Sequence, residues 1–249
     1  MSDTTIVCPT HGRAGNVRAF GLFGPDLILC VQKGEQEELY REAYPKAELL
    51  VHPELHGLSL KRQWIYDTIG DVFMTDDDVV SIVDLTAGPG EQTRRVDGDF
   101  ARAVVQRSHE SAEAAGVFAY SFAQSPDPAT FRPQKPLRLS GMITGCALGL
   151  RAGSKLWFPE GFHGSEDIFL SGLNAHYHRM AWIDLRYSFT QLGTFGAIGG
   201  QGLHRTMADL RKNFYGLQEA FGESVMEKKE DTFRARAGHD WAITMRLPF

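Results

Sequence analysis

Cysteine is scarce in this sequence, and the few cysteines lie far apart. The 249 residues include three, Cys8, Cys30 and Cys146, and the first two fall inside apolar runs. An odd number at wide spacing is unlike a disulfide framework or a zinc site, and a free cysteine in an apolar run behaves as a small apolar residue. We therefore expect three free thiols and a reducing compartment.

The sequence also lacks long apolar runs and a targeting segment. No run approaches the roughly 18 apolar residues that a membrane-spanning helix needs. The sequence begins Met-Ser-Asp-Thr-Thr, without the basic and apolar parts of a signal peptide. These absences predict a cytoplasmic protein that has no membrane partner.

Positive charge is not in excess. The sequence has 26 lysine and arginine residues against 31 acidic residues, for a formal net charge of -5. A protein that coats nucleic acid by bulk attraction would show the opposite balance, although a local basic groove stays open. The hydrophobic content of 43% is that of a globular chain large enough to fold without metal or disulfides.

Short apolar runs alternate with helical patterns in the first third of the chain. Breaker residues bound most of these runs, as expected of buried strands. We predict strands at residues 4–9, 27–31, 48–51 and 71–75, and helices at 35–44 and 58–69. This alternation predicts an α/β fold, a mostly parallel central sheet flanked by helices.

The remainder of the chain has a more varied pattern. Its predicted elements are helices at 100–115 and 165–179, and strands within 139–150 and at 181–189. Residues 193–202 include five glycines, which predicts a mobile loop, and the chain from 207 onward is charged and partly helical. Without an internal repeat or an obvious linker, we expect one domain over residues 1–249.

Three consecutive aspartates, Asp76, Asp77 and Asp78, follow directly after a predicted apolar strand. Like charges crowded together cost free energy unless a cation or a helix terminus compensates them. The carboxyl end of a parallel strand is also where open α/β sheets bind ligands. Mg²⁺ or Mn²⁺ held there would bridge to a diphosphate. The alternative is a solvated acidic turn in which one aspartate caps a helix.

The order of these features resembles the GT-A glycosyltransferases, whose DXD motif the acidic triplet matches. Residues 9–13 resemble the nucleotide-binding loop after the first strand, and Lys61-Arg62-Gln63 resembles the segment that contacts the nucleotide-sugar. Residues 158–162 with Glu166-Asp167 resemble the acceptor side. The resemblance covers residues 4–190. Within the superfamily the chain is most similar to the bacteriophage TET-associated glycosyltransferases, which modify 5-hydroxymethylpyrimidines in DNA; its cytoplasm would then be that of a bacterial host.

The resemblance implies a donor side that binds a UDP-sugar or another nucleotide diphosphate-sugar. Its residues would be Pro9, Thr10, Arg13, Lys61, Arg62, Asp76, Asp77 and Arg205. Mn²⁺ or Mg²⁺ would be held by Asp76, Asp78 and His204, with Asp77 pointing away. A lone histidine is more often structural than a metal ligand, so His204 depends on the resemblance. Residues 193–202 would then serve as a lid.

The resemblance also implies an acceptor side at Glu166 and Asp167. Both would be catalytic residues, with Asp167 the general base for an acceptor hydroxyl in an inverting transfer. A retaining enzyme would instead use the same pair to orient the acceptor. Ser165 could cap the helix that starts there, and acids in a first turn often only interact with the helix dipole. Residues that could contact DNA phosphates, or merely be scattered solvated charges, are Arg94, Arg95, Arg132, Lys135 and Arg138.

The implied organisation is a nucleotide-sugar half over residues 1–85, an acceptor half and lid over 86–206, and a C-terminal extension over 207–249. The expected acceptor is 5-hydroxymethylcytosine or a related base in DNA. Alternatives are a glycan or protein acceptor, and a degenerate protein that binds nucleotide without turnover. A sugar-phosphate nucleotidyltransferase would show a more glycine-rich and basic loop than residues 9–13 provide.

Overall fold

The computed structural model describes residues 4–87, 94–96, 98–162, 164–192, 207–229 and 241–247. Two groups of strands form the framework. The strands of the main sheet are β1 (Thr5–Pro9), β2 (Ile28–Gln32), β3 (Leu49–His52), β4 (Val72–Thr75), β7 (Ala119–Phe122), β8 (Leu137–Arg138), β9 (Ala147–Leu150) and β10 (Trp182–Asp184). The other strands are β5 (Val79–Asp84), β6 (Arg94–Val96), β11 (Tyr187–Gln191), β12 (Val225–Lys229) and β13 (Trp241–Met245).

The main sheet has eight strands in the order β3-β2-β1-β4-β9-β7-β10-β8. Pairing is parallel from β3 through β4 and between β7 and β10, whereas β9 and β8 run antiparallel to their neighbours. Strands β11, β5 and β6 form a separate antiparallel sheet, and β12 pairs with β13.

Helices cover both faces of the main sheet. They are α1 (Arg18–Phe23), α2 (Glu35–Ala43), α3 (Leu58–Ile69), α4 (Gly98–Ala114), α5 (Glu166–Tyr177) and α6 (Met207–Phe221). Side chains of α1, α2 and α4 pack in one apolar cluster, and those of α3, α5 and α6 pack in another. Strand β1 shows the two-residue period behind this division: Ile6 and Cys8 join the first cluster, and Val7 joins the second. The predicted α/β fold with a mostly parallel sheet is confirmed.

The structure corrects several predicted elements. Residues 181–189 are not one strand but parts of β10 and β11, which belong to different sheets. Only Ala147–Leu150 is a strand within 139–150. Helix α1 and strands β5 and β7 were not predicted. The predicted loop at 193–202 lies outside the described residues.

The structure also bears on the predicted thiols and the membrane. The three cysteines are buried and free. In the part of the chain that the structure describes, no helix has the length and apolar character to cross a membrane.

Candidate active site

The acidic triplet lies between the two sheets. Strand β4 of the main sheet ends at Thr75, and β5 of the smaller sheet begins at Val79. The backbone N–H of Val79 donates to the carbonyl of Asp76 at 3.3 Å, which closes a tight turn around Asp77 and Asp78. Because β1 and β4 are parallel neighbours, the loop after Pro9 meets the triplet at the same edge of the sheet.

Asp77 fixes the loop that follows β1. Its Oδ2 accepts a hydrogen bond from Thr10 Oγ1 at 2.9 Å, and its Oδ1 lies 3.0 Å from Arg13 Nη1. Its carbonyl accepts hydrogen bonds from the backbone N–H groups of Arg18 and Ala19. Burial raises the pKa of Asp77, whereas the charge of Arg13 and the hydrogen bond from Thr10 oppose that rise. Asp77 therefore holds the loop after β1 against the start of α1.

Asp76 is joined to the second half of the chain through Arg62. Arg62, on α3, is 1% exposed and donates from Nη2 to Asp76 Oδ1 at 2.7 Å and to the carbonyl of Gly145 at 2.8 Å. Its Nη1 lies 3.2 Å from Glu166 Oε1 at the start of α5. Arg62 therefore links the triplet to the predicted acidic pair across 104 residues of sequence (166 − 62).

The carboxyl group of Asp76 lies in a region of concentrated negative charge. Its withdrawal from bulk water raises its pKa to about 7, and the charges of Asp78, Asp77 and Glu166 add to the effect of desolvation. The positive charge of Arg62 opposes that rise but does not cancel it. Additional positive charge beside Asp76 would therefore be electrostatically favourable at neutral pH.

Lys61 supports the loop after β1 from the protein interior. Its Nζ donates to the carbonyl of Thr10 at 2.7 Å, and burial lowers the pKa of its ammonium group. The hydroxyl of Tyr40 contacts Thr10 Oγ1 at 2.8 Å and accepts from the backbone N–H of Arg13 at 2.9 Å. Lys61 and Arg62 are both buried, so they hold the loop after β1 and the triplet in place from the protein interior.

Helix α5 places the acidic pair. Ser165, just before it, has a left-handed backbone at φ 65° and makes no side-chain capping hydrogen bond, so the predicted cap is wrong. Glu166 is 4% exposed and faces Arg62, whereas Asp167 is partly exposed. Asp167 Oδ1 accepts a hydrogen bond from the backbone N–H of Ile168 at 2.8 Å. Of the two acids, Asp167 is therefore the more exposed.

Sequence comparison identifies the class of protein that carries this arrangement. A family model described as TET-Associated Glycosyltransferase matches residues 4–200. The chain belongs to the TET-associated glycosyltransferase family. The matched range contains the triplet, Arg62 and the acidic pair, so the resemblance predicted from these residues is confirmed.

Two other comparisons complete the description of this TET-associated glycosyltransferase. No curated protein matches the chain. Among solved structures, the crystal structure of S. aureus TarS 1-349 is similar with a TM-score of 0.47 at 9% sequence identity. The similarity covers 75% of this chain and 60% of TarS, so the chain spans less than two thirds of that structure.

Gln191 is a site residue that sequence reasoning missed. Its Nε2 donates to Asp76 Oδ2 at 3.0 Å and to Asp78 Oδ1 at 2.8 Å, from the last position of β11. The sequence carried a weak signal, because Gln191 is a polar residue just beyond the end of a predicted strand, two positions before a glycine-rich segment. The missing information was that β11 pairs with β5, the strand that follows the triplet.

Gly145 is a second residue that was missed. A Cβ atom at this position would lie 3.2 Å from Asp167 Oδ2 and 3.3 Å from Arg62 Nη1, closer than most real contacts. Glycine therefore lets the chain before β9 pass between Arg62 and the acidic pair. A glycine in a sequence rich in glycine gives no signal of such a role by itself.

The donor set of the triplet fits a hard divalent cation. Asp76 and Asp78 direct one carboxylate oxygen each at the single nitrogen of Gln191, so the two oxygens converge. Mg²⁺ and Mn²⁺ prefer oxygen ligands and commonly use one or two carboxylates, with water and substrate phosphate as the rest. Within the described ranges, no group of three or more His, Cys, Asp or Glu side chains could hold a metal ion. A cation here would therefore need ligands beyond the two carboxylates.

The remaining predicted residues fall into two groups. His204, Arg205 and the side chains of Arg94 and Arg95 lie outside what the structure describes. Arg132, Lys135 and Arg138 are exposed on the segment between β7 and β9. Arg132 Nη1 donates to the carbonyls of Ala129 and Phe131 at 2.7 and 3.0 Å, and Arg138 packs against Gly141. In the described part of the chain, none of these three forms an ion pair with an acidic side chain.

Proposed function

We propose that this protein transfers a sugar from a nucleotide diphosphate-sugar, with UDP as the favoured nucleotide, to the hydroxyl group of a hydroxymethylated base in DNA. The observation that carries the proposal is the contact of Arg62 with both Asp76 and Glu166, which joins two acidic groups from distant parts of the sequence into one site. Membership of the TET-associated glycosyltransferase family supports sugar transfer as the reaction class.

The donor would bind at the carboxyl edge of β1 and β4. Pro9 ends β1, Thr10 and Arg13 belong to the loop that follows, and Asp77 and Lys61 hold that loop in place. Arg205, which lies outside the described residues, is proposed as a further diphosphate ligand because a guanidinium group suits phosphate oxygens. Polar backbone groups and basic side chains around a strand end suit a nucleotide with a diphosphate.

A divalent cation is proposed as part of the donor site. Asp76 and Asp78 would hold Mn²⁺ or Mg²⁺, together with His204 from the segment outside the described residues. A bound cation of this kind neutralises charge that develops on a diphosphate leaving group. The electrostatics of Asp76 support the proposal: besides desolvation, the main cause, the charges of Asp78, Asp77 and Glu166 raise its pKa, and a cation would offset them.

Asp167 is proposed as the general base. The acceptor oxygen forms a bond to the anomeric carbon while the bond between that carbon and the diphosphate oxygen breaks, and the bonding electrons leave with the nucleoside diphosphate. The hydroxyl proton passes to the carboxylate of Asp167. Glu166 is buried against Arg62, which suits a positioning role. Direct attack by the acceptor implies inversion at the anomeric carbon.

DNA is proposed as the acceptor molecule, and it depends on the family more than on any contact. Arg132, Lys135 and Arg138 lie exposed on one segment, and the chain continues from it through residues 140–146, where Gly145 lies beside Asp167. These three cations, with Arg94 and Arg95, would contact phosphates while the modified base enters the site. The net charge of -5 requires that such contacts be local.

The test is a transfer assay with defined DNA. Duplexes containing either 5-hydroxymethylcytosine or unmodified cytosine are incubated with UDP-glucose or UDP-GlcNAc and Mn²⁺, and digested nucleosides are measured by mass spectrometry. We expect a sugar adduct only on the hydroxymethylated base, lost in Asp167→Asn, whose UDP affinity stays close to that of the wild type. NMR of the product sugar reads its anomeric configuration.

The other outcomes separate the alternatives. Sugar transfer to a glycan or protein with none to DNA would replace the proposed acceptor and keep the proposed donor site. Nucleotide binding without transfer or donor hydrolysis on any acceptor would indicate a degenerate, non-catalytic protein.

A further inference from the structure

We propose that Gln191 is an oxygen ligand of the divalent cation, and that in the metal-free protein its carboxamide holds Asp76 and Asp78 together. The inference rests on the proposed cation site at these two aspartates. It adds a ligand from β11, on the smaller sheet, to a site that the sequence places wholly in the triplet and His204. The contacts of Gln191 with both carboxylates are its basis.

The position of Gln191 is specific to these two carboxylates. One –NH₂ group carries two hydrogens, and the contacts of 3.0 Å to Asp76 and 2.8 Å to Asp78 use one hydrogen each. Two carboxylates that converge on one atom repel each other, and a neutral amide compensates that repulsion only in part. Gln191 therefore occupies the place where positive charge is best stabilised.

Local backbone structure aims Gln191 at this place. The pairing of β11 with β5 shifts register at its end, so that Thr190 faces Ser81 but Gln191 faces Val79. Thr190 Oγ1 contacts Ser81 Oγ at 2.7 Å and donates to the Ser81 carbonyl at 3.1 Å, which pins the irregularity. Irregularities of this kind re-aim a side chain and are frequent beside active sites.

The residue after Gln191 is also fixed to the triplet. The backbone N–H of Leu192 donates to the carbonyl of Asp78 at 3.0 Å. Both neighbours of Gln191 are thus fixed. Thr190 is hydrogen-bonded to Ser81 on β5, and Leu192 is hydrogen-bonded to the carbonyl of Asp78. A side chain fixed in this way keeps its terminal group within reach of both carboxylates whether or not a cation is present.

A carboxamide suits both states of the site. Rotation about its last side-chain bond exchanges Nε2 for Oε1 at nearly the same position, so a hydrogen-bond donor becomes an oxygen ligand. Lysine or arginine at this position would keep a cation out, and leucine would offer it nothing. Carboxamide oxygens are among the ligands that hard divalent cations accept. Glutamine therefore replaces the cation in its absence and coordinates the cation in its presence.

Binding of Mn²⁺ tests the inference without any need for turnover. The free-Mn²⁺ electron paramagnetic resonance signal gives the dissociation constant in the presence of UDP, and water proton relaxation gives the number of water molecules on the bound ion. For Gln191→Leu we expect about tenfold weaker binding and one additional water on the ion. For Gln191→Glu, which keeps the oxygen, we expect binding at least as tight and no additional water.

Controls separate a ligand from a charge effect. Gln134→Glu adds the same charge at an exposed position far along the chain and should leave both readouts unchanged. If Gln191→Leu does not fold, Gln191→Asn, whose shorter side chain cannot reach, should show the weaker binding and the additional water. Unchanged affinity and hydration in the folded variant would overturn the inference and leave the cation site intact. The cation site itself requires that the wild type binds Mn²⁺ and that Asp78→Asn abolishes this binding. If either fails, the cation site is overturned, and the inference with it.

Discussion

Arg62 donates a hydrogen bond of 2.7 Å to the carboxylate of Asp76 from a position that is 1% exposed. Burial lowers the pKa of the guanidinium group, but the carboxylates of Asp76, Glu166 and Asp167 outweigh that effect and raise it. Its Nε and Nη1 have no hydrogen-bond partner among the described residues, although Nη1 lies 3.2 Å from Glu166. The site is thus built around a buried cation that the surrounding acids stabilise and that in turn limits the rise in the pKa of Asp76.

Removal of the buried cation should destabilise the protein strongly. In Arg62→Met, Asp76 and Glu166 lose their shared partner, and an uncompensated buried charge costs about 3–5 kcal/mol. Urea unfolding followed by circular dichroism measures the difference. Arg62→Lys keeps the charge but not the fork that reaches two carboxylates, so an intermediate loss is expected.

The control for this prediction is Arg41→Met. Arg41 is paired with Glu37 at 2.8 Å one helical turn away, but its side chain is 61% exposed. An exposed pair of this kind contributes about 0.3–0.5 kcal/mol. Equal losses in Arg41→Met and Arg62→Met would contradict a special role for the buried contact.

The stability of the metal-free protein should fall as the pH rises from about 4 to about 7. The pKa of Asp76 is raised to about 7 in the folded protein, so in this window the folded state binds a proton that the unfolded state has released. The stabilisation is present in full below the unfolded pKa and is lost as the pH passes the folded pKa, with a slope of at most about 1.4 kcal/mol per pH unit. Asp76→Asn should flatten this dependence in urea unfolding measured at a series of pH values.

The pH dependence of Mn²⁺ affinity tests the raised pKa of Asp76 independently. Since a cation and a proton compete for the carboxylate of Asp76, Mn²⁺ affinity should fall as the pH is lowered through 7. A pH-independent affinity between 6 and 8, together with an Asp76→Asn profile identical to that of the wild type, would contradict the raised pKa of this group.

The sequence predicted the first part of the fold, up to the triplet, better than the part that follows it. Runs such as residues 71–75 are apolar because a parallel strand is buried on both faces, so they stand out from their surroundings. The triplet after that run could be placed at a sheet edge for the same reason. Helix α3 was predicted with the bounds that the structure has, Leu58–Ile69.

What could not be predicted depends on contacts between distant segments. Gln191 gains its role because β11 does not continue β10 in the main sheet but pairs with β5 of the smaller sheet, a switch that local patterning of residues 181–189 does not encode. Arg62 was predicted by resemblance to contact the nucleotide-sugar, yet it is buried between acids from the turn after β4 and from the start of α5. Burial of a charged residue is a property of its partners, which sequence spacing alone does not reveal.

Replacement of Ser165 by glycine should make the protein more stable and less active. Ser165 has φ 65°, a left-handed conformation that costs a non-glycine residue about 1 kcal/mol or more, and it makes no capping hydrogen bond in return. Ser165→Gly relieves this strain but loosens the start of α5, which positions Glu166 and Asp167. Thermal unfolding and turnover, measured on the same preparation, check the two halves of the prediction.

A comparison at the other end of α5 shows whether the activity change is local. Arg179 has φ 67°, and Arg179→Gly should relieve similar strain without lowering turnover. Loss of its own side-chain contacts makes the gain in stability smaller than for Ser165→Gly. Wild-type turnover in both variants would mean that the left-handed conformation of Ser165 has no role in activity.

Addition of one methyl group at Gly145 should impair turnover more than donor binding. The new Cβ would lie 3.2 Å from Asp167 Oδ2 and 3.3 Å from Arg62 Nη1, so Asp167 must shift by a few tenths of an ångström. Misplaced catalytic groups lower rates steeply, and we expect about a tenfold lower kcat in Gly145→Ala. Calorimetry should find the Kd for UDP within about threefold of the wild type, because the loop after β1 is untouched.

Gly21→Ala is the matched control for this substitution. Gly21 lies within α1, where a Cβ would meet no atom within 4 Å, and alanine there favours the helix. The same chemical change should therefore leave kcat and UDP binding as they are while adding slightly to stability. A wild-type kcat in Gly145→Ala would contradict the prediction. It would mean that the carboxylate of Asp167 tolerates the shift or takes no part in the transfer.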